Sequence, residues 1–343
     1  MGIKNFSKVF ENQGEVKLKD LRTKTIVVDA MYQLHRTAHP FKTTQNATLT
    51  GPDGTATNHI NGLLALIFNL KKCGAKQVWI FDSPDAGHDS LKDIEIERRR
   101  TAHQKAKVKL DKLLAHPILF SDDEDDSKLI EKKKEEHAVN KNKHERASFS
   151  LDVYMISDLK FILDSFNVPW FESPPGYEAE QLAACLTNNY IAEIKADAVL
   201  TPDPDCLLFG ASIMIKNDKT KFYKYQLATI LKDEQINQDD IIKIGVILGC
   251  DFADKTPGIG PATIMKKYKT VELSERQKEA VEYFKKPIDP KSLALIKWQS
   301  VEHKPFTDQQ KIDGLFKWIT EVKGFNIART ESRFKTAKIV ITQ

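Results

Sequence analysis

Seven carboxylates stand mostly where this chain turns after apolar runs, and that placement points to metal-ion chemistry. Asp29 closes 25–29 (TIVVD) and Asp82 closes 77–82 (QVWIFD). Asp203 and Asp205 follow 198–201 (AVLT), Glu178 and Glu180 follow Pro174-Pro175-Gly176, and Asp251 ends the apolar stretch IIKIGVILGC. Any one of them alone reads as a turn former or a helix cap. Gathered on one rim they would repel each other unless cations neutralised them. Hard oxygen ligands suit Mg2+, with Mn2+ as a substitute. Two such ions about 4 Å apart would activate water and stabilise the leaving oxygen of a phosphodiester.

Basic residues supply the complementary half of such chemistry. Lys92 and Arg99 are seven positions apart, so on a helix they share a face and could clamp a phosphate. Arg98 and Arg100 flank that position as further candidates for contact with a nucleic-acid backbone. The turn Thr256-Pro257-Gly258-Ile259-Gly260-Pro261 is rich in glycine and leads into a segment carrying Lys266 and Lys267. There Gly258 and Gly260 would let the backbone approach a phosphate at a helix N-terminus. His35, six residues after Asp29, could stack on a base, and Gly2 would let the N-terminus come close to nucleic acid. Taken singly, each has an ordinary alternative: a solvated helix face, a loop, a core or surface histidine, a routine N-terminus.

Positioning these groups needs a sheet. The runs 25–29, 77–82, 198–201 and 212–216 read as strands, with helices predicted over 58–72, 152–166 and 179–188. Strand–helix–strand order implies an α/β fold with a mostly parallel twisted sheet flanked by helices, which binds ligands beyond the carboxyl ends of its strands. Residues 83–150 break the pattern, being long and highly charged. They read as two helices, 89–114 and 128–146, flanking the acidic block SDDEDDS and projecting as an arm or arch. A disordered insert is the alternative over 120–145. After Ile241 the chain reads as all-helical. The expected division is a 1–250 α/β core, with 83–150 inserted, and a 251–343 helical region.

Composition excludes several classes. A hydrophobic fraction of 41% over 343 residues supports a buried core, and no apolar run is long enough to span a bilayer. The start, MGIKNFSKVF, lacks a secretory h-region, and Phe6 stands where a myristoylation signal wants Ser or Thr. The four cysteines form no CxxC pair and read as reduced thiols of an intracellular protein. The net charge of +4 says little by itself; the cluster of Lys and Arg over 92–112 says more.

The chain resembles the flap endonucleases and their structure-selective 5′-nuclease relatives. The matching segments are MGIKNF at the start, VVDA at 27–30, IFD at 80–82, YEAEQLAACL at 177–186, DPDCLLFG at 203–210 and LGCDFADKTPGIGP at 248–261. The likeness runs to about Tyr268 and more loosely to about Trp318. It implies a PIN-like nuclease core, a helical arch that passes a 5′ flap, and a helix–two-turn–helix element at Gly258–Gly260 that grips duplex and holds K+. It implies that Asp29, Asp82, Glu178, Glu180, Asp203, Asp205 and Asp251 bind two Mg2+ ions, with Lys92 and Arg99 as the catalytic cations. The expected activity is flap endonuclease with 5′→3′ exonuclease action on flapped, nicked or branched DNA in replication and repair, by a monomer. A mainly exonucleolytic member, toward which His35 leans, or a junction- or bubble-cutting one is the alternative, while the compact length leans toward the flap branch, and an inactive DNA-binding scaffold is the rival of another class. A nuclear location follows if the source is eukaryotic. Departures are a long span between Asp82 and Glu178 and Pro204 between two of the acids. Residues 309–316 (QQKIDGLF) partly mimic a sliding-clamp peptide but lack its aromatic pair, so a clamp contact is not favoured and an ordinary helix is expected there.

Overall fold

The computed structural model describes residues 3, 5–38, 49–83, 90–115, 127–188, 191, 194–218, 221–296 and 305–342; within 90–147 some helical residues, Lys92 among them, are described by backbone alone. In chain order the elements are β1 (Glu15–Val16), β2 (Thr25–Asp29), α1 (Ala30–Ala38), α2 (Asn58–Cys73), β3 (Lys76–Phe81), α3 (Ser90–Ala115) and α4 (Ser127–Ala147). Then come α5 (Val153–Ser165), β4 (Trp170–Glu172), α6 (Ala179–Asn188), β5 (Ala198–Leu200), α7 (Asp205–Leu208), β6 (Ile213–Asp218) and β7 (Lys221–Gln226). The chain ends in helices: α8 (Leu227–Asp233), α9 (Gln238–Leu248), α10 (Pro261–Lys267), α11 (Glu275–Lys285), α12 (Pro290–Ala294), α13 (Gln309–Lys317) and α14 (Ile327–Thr336).

The strands form one sheet in the order β1-β7-β6-β5-β2-β3-β4. The pairings β6–β5, β5–β2, β2–β3 and β3–β4 are parallel, while β7 pairs antiparallel with both β6 and β1. The uninterrupted apolar strands serve both faces at once, because successive side chains alternate. Val27, Val78, Ile80, Val199 and Met214 point into a core shared with α6, α7, α9, α10 and α11. Ile26, Val28, Trp79, Phe81, Leu200 and Ile215 point into the opposite core, with α1, α2, α5, α13 and α14. The helices after residue 250 are therefore split between the two faces.

From β2 the chain steps outward to β3 and β4, then returns to the other side of β2 as β5. That reversal leaves a crevice at the carboxyl ends of β2, β3 and β5. Asp29 is the last residue of β2, Asp82 follows β3, and Thr201 follows β5. At Gly249 the chain leaves α9 with φ 93°, and an added Cβ would lie 2.9 Å from the Lys255 amide nitrogen. Only glycine fits that close approach, and it turns Asp251 toward the crevice.

The charged region 83–150 does form two helices, and α4 occupies most of the span for which disorder was the alternative. The SDDEDDS block lies outside the described residues except for Ser127. Helices α3 and α4 pack on each other, and among their described side chains only Leu91, Glu95 and Ala106 are buried. The 309–316 segment is the helix α13, and it buries Ile312, Leu315 and Phe316 in the second core. No helix among the described residues is long and apolar enough to cross a membrane.

Candidate active site

All seven predicted carboxylates line one cleft of about 160 Å³, together with Met31, Tyr32, His35, Arg99, Leu151, Phe209 and Phe252. They fall into two groups, Asp82–Glu178–Glu180 and Asp203–Asp205–Asp251, whose nearest oxygens lie within 4.8 Å of one another in each group. The space suits ions and a few waters, not a whole nucleotide, so any polymer would cross its mouth.

Local hydrogen bonds aim each carboxylate. Asp29 accepts from the Tyr32 amide at 2.9 Å and from the Thr201 hydroxyl at 3.0 Å. Asp82 accepts from the Ala179 amide at 3.1 Å, which ties the end of β3 to the start of α6 beside Glu178 and Glu180. Asp203 accepts from the Asp205 amide at 3.0 Å, the short turn that Pro204 occupies. The Oδ1 atom of Asp205 is buried and has no hydrogen-bond partner. A buried carboxylate oxygen left without a donor is costly unless something positive meets it. An all-oxygen donor set with such a vacant acceptor fits hard divalent cations.

The electrostatics agree. Burial pushes the Asp29 carboxyl up to about 7, with the charges of Asp82 and Asp203 adding to the effect against the hydrogen bonds from Tyr32 and Thr201. Burial raises Asp203 to about 6, with Asp251 contributing. Glu180 and Asp205 also lie well above the usual carboxylate range, from burial first and their acidic neighbours second. Among the described residues lining the cleft, Arg99 is the one permanent cation. Burial alone would weaken its charge, but Asp251, Glu95 and Glu178 outweigh that and hold it protonated.

Arg99 reaches the cleft from α3, donating to Asp251 at 2.5 Å and to Glu95 at 2.8 Å. Its neighbour Arg98 turns instead to Asp254 at 3.1 Å, and Arg100 faces outward near Glu97 at 3.8 Å. The backbone of Lys92 lies on the same helix, two turns before Arg99; its side chain is outside the description. His35 borders the cleft with its ring edge-on to Phe149, centroids 5.5 Å apart. Gly2 lies outside the described residues. Gly258 has φ 73° in open space, Gly260 precedes α10, and Lys266 and Lys267 are exposed in its last turn. That turn lies past Asp251 and away from the cleft lining.

Sequence reasoning missed Glu95, Thr201 and Tyr32. Glu95 had a signal, since it stands four residues before Arg99, the helical ion-pair spacing. Thr201 and Tyr32 had none, because each matters only once β5 and α1 lie beside Asp29.

The XPG N-terminal domain model matches residues 1–106 and the XPG I-region model matches 167–251, together more than half of the chain. Flap endonuclease 1 of Entamoeba histolytica is 25% identical over 368 residues, covering 99% of this chain and 88% of its own length. That of Methanobrevibacter smithii is 26% identical over 267 residues, covering 76% and 73%. The solved flap endonuclease-1 from Methanococcus jannaschii shares the fold, with a TM-score of 0.67, 21% identity and 98% coverage of each chain. The catalytic core of Rad2, solved with DNA substrate, aligns with a TM-score of 0.61 at 17% identity over 98% of this chain and 100% of its own. Both matched regions deliver their acids to the same cleft, Asp29 and Asp82 from the first and Glu178 to Asp251 from the second, and on that footing the chain belongs to the XPG and flap endonuclease family of nucleases.

Proposed function

We propose that this chain is a structure-selective 5′-nuclease that hydrolyses phosphodiesters at 5′ flaps and related branches in DNA, with some 5′→3′ exonuclease action. The observation that carries the reading is the convergence of seven carboxylates on one cleft with a guanidinium at its edge. Relatives of this fold have been solved on DNA substrate and, for human GEN1, on Holliday junction DNA.

In this reading the Asp82–Glu178–Glu180 and Asp203–Asp205–Asp251 groups each hold one Mg2+, with Asp29 beside them and Mn2+ able to replace Mg2+. When bound, the ions supply water of lowered pKa and positive charge against the reacting phosphate. Arg99 donates a two-pronged contact to the phosphate once it exchanges Asp251 for it, and Glu95 keeps the guanidinium oriented meanwhile. Lys92 adds a second charge from the same helix face. His35 stacks on a base at the cleft mouth. The Gly258–Gly260 turn, with Lys266 and Lys267, grips duplex backbone, and its carbonyls hold K+. Such contacts read strand ends and shape rather than sequence.

The test is Mg2+-dependent cleavage of labelled 5′-flap DNA against single-stranded, nicked and four-way-junction DNA. Flap cutting should lead; junction or single-strand cutting in the lead would reassign the substrate, and no cutting in Mg2+ or Mn2+ would leave a DNA-binding scaffold. Asp203→Ala should keep DNA binding while cutting drops by at least about a thousandfold, the scale at which removing metal-supplied charge stabilisation is felt.

A further inference from the structure

The two glutamates at the start of α6 are bracketed by side chains whose job the chemistry above leaves unassigned. Tyr177 precedes Glu178, and Gln181 follows Glu180. The Tyr177 hydroxyl donates to Asp289 Oδ2 at 2.8 Å and accepts from the Asp289 amide at 3.4 Å. The Gln181 side-chain amide donates to the Lys286 carbonyl at 2.5 Å, and the Lys286 ammonium lies 5.3 Å from the Tyr177 ring centre. Both tethers therefore end on one short segment, 286–289, between α11 and α12.

On the other side the same loop is stitched to the sheet. The Ser173 hydroxyl donates to the Tyr177 carbonyl at 2.9 Å and accepts from the Ser83 amide at 2.9 Å. The glutamates are thus held between the end of β3 and the segment that leaves α11.

The opposite end of α11 braces the glycine turn. Gln277 donates to the Asp254 carbonyl at 3.1 Å and to the Thr256 hydroxyl at 3.0 Å, and Arg276 donates to the Phe252 carbonyl at 2.8 Å. One helix of 11 residues, about 16 Å long, spans from the proposed duplex anchor to the acids.

We propose that Tyr177 and Asp289 are positioning residues for the Asp82–Glu178–Glu180 group, and that α11 is the strut linking that group to the Gly258–Gly260 turn; the inference rests on the nuclease reading. The Tyr177 phenol fixes where the α6 N-terminus sits, and the carboxylates on either side of it inherit that position. Outer partners of this kind set how tightly first ligands hold a cation. The ring packs at 6% exposure, so losing the hydroxyl alone leaves the packing intact.

The experiment uses the full chain with Tyr177→Phe, which keeps the ring and its Lys286 contact. Mg2+ binding is measured by titration calorimetry without DNA, and flap cutting is measured across Mg2+ concentrations. Loss of the tether should raise the Mg2+ half-saturation point about fivefold, the weight of one hydrogen bond, with cutting recovered in excess Mg2+ and KM for DNA unchanged. Asp289→Ser keeps a good N-cap on α12 and is too short to reach the Tyr177 hydroxyl or to replace the Oδ2 acceptor that the Ser292 hydroxyl shares with it, so it should raise the Mg2+ midpoint at least as far as Tyr177→Phe, and the double variant should be no worse than Asp289→Ser. Mg2+ affinity within twofold of the parent in both single variants would overturn the proposal, as would a loss that excess Mg2+ does not recover. A lowered Tm with an unmoved Mg2+ midpoint would mark a merely structural contact and also overturn it. A parent chain that binds no Mg2+ would overturn the nuclease reading and this inference with it, whereas a parent that binds and a variant that binds equally would sink the inference alone.

Discussion

At the scale of single residues, the acids of the cleft are held in a state that a cation would relieve. Asp29 rises from 3.8 to about 7 and Asp203 from 3.8 to about 6, both chiefly through burial. A carboxyl raised on folding favours the native state only while it keeps its proton. The unfolded chain sheds that proton near pH 4, the folded chain nearer pH 6–7, so stability falls as pH climbs through that window. Without divalent ions the protein should therefore melt at a lower temperature at pH 8 than at pH 5. Mg2+ displaces the protons, so saturating Mg2+ should raise Tm more at pH 8 than at pH 5; about 100 times the dissociation constant would add roughly 2.7 kcal/mol. Differential scanning calorimetry at both pH values checks this, and an equal Mg2+ effect at both would mean the acids are already ionised in the free protein.

At the scale of elements, the strands that carry the acids were legible because they are apolar on both faces. The expected 25–29 strand is β2 as drawn, and the 77–82 and 198–201 strands differ from β3 and β5 by a residue at their ends. β4, only Trp170–Glu172, is too short to show a period, and β7, Lys221–Gln226, is polar because it lies toward the sheet edge. Its antiparallel pairing with β6 was invisible in a reading built on strand–helix–strand units. Five of the seven carboxylates could be read because each follows an apolar run, and Glu178 and Glu180 because they follow the Pro174-Pro175-Gly176 turn into a helix. Tyr177 could not, since its partner Asp289 is 112 residues away and only the fold brings them together. The charged pair α3–α4 was readable as helices from composition, and it also makes a prediction. Beyond Leu91 it adds nothing to either core, so it should open independently of the body. Ala106→Pro, placed mid-helix, costs α3 about 3 kcal/mol locally. Flap cutting should fall more than tenfold while Tm moves by less than about 2 °C, because a local helix break does not reach the main transition. Circular dichroism melts beside a cleavage assay would show it; a large Tm drop would place α3 inside the main folding unit.

At the scale of the whole molecule, one sheet separates two cores that do different work. One core holds α9, α10 and α11 and therefore sets where Asp251 and the glycine turn sit. The other holds α13 and α14 against α2 and α5, on the face away from those elements. Phe334 is its keystone at 0% exposure, with ring centres 5.1 Å from Phe68, 6.0 Å from Phe166 and 5.8 Å from Phe316. Phe334→Ala should cost about 3–5 kcal/mol, because the lost transfer energy is joined by a cavity that three rings cannot fill. For a chain of this size that lowers Tm by on the order of 10 °C. The acids lie at the carboxyl ends of the strands and are not among the rings that pack on Phe334, so distant effects should add rather than couple. At a temperature where the variant is folded, its Mg2+ affinity and flap cutting should therefore stay within about twofold of the parent. A loss of Mg2+ binding in the folded variant would mean that the two cores communicate through the sheet, and that the C-terminal helices set the geometry of the cleft as well as the stability of the body.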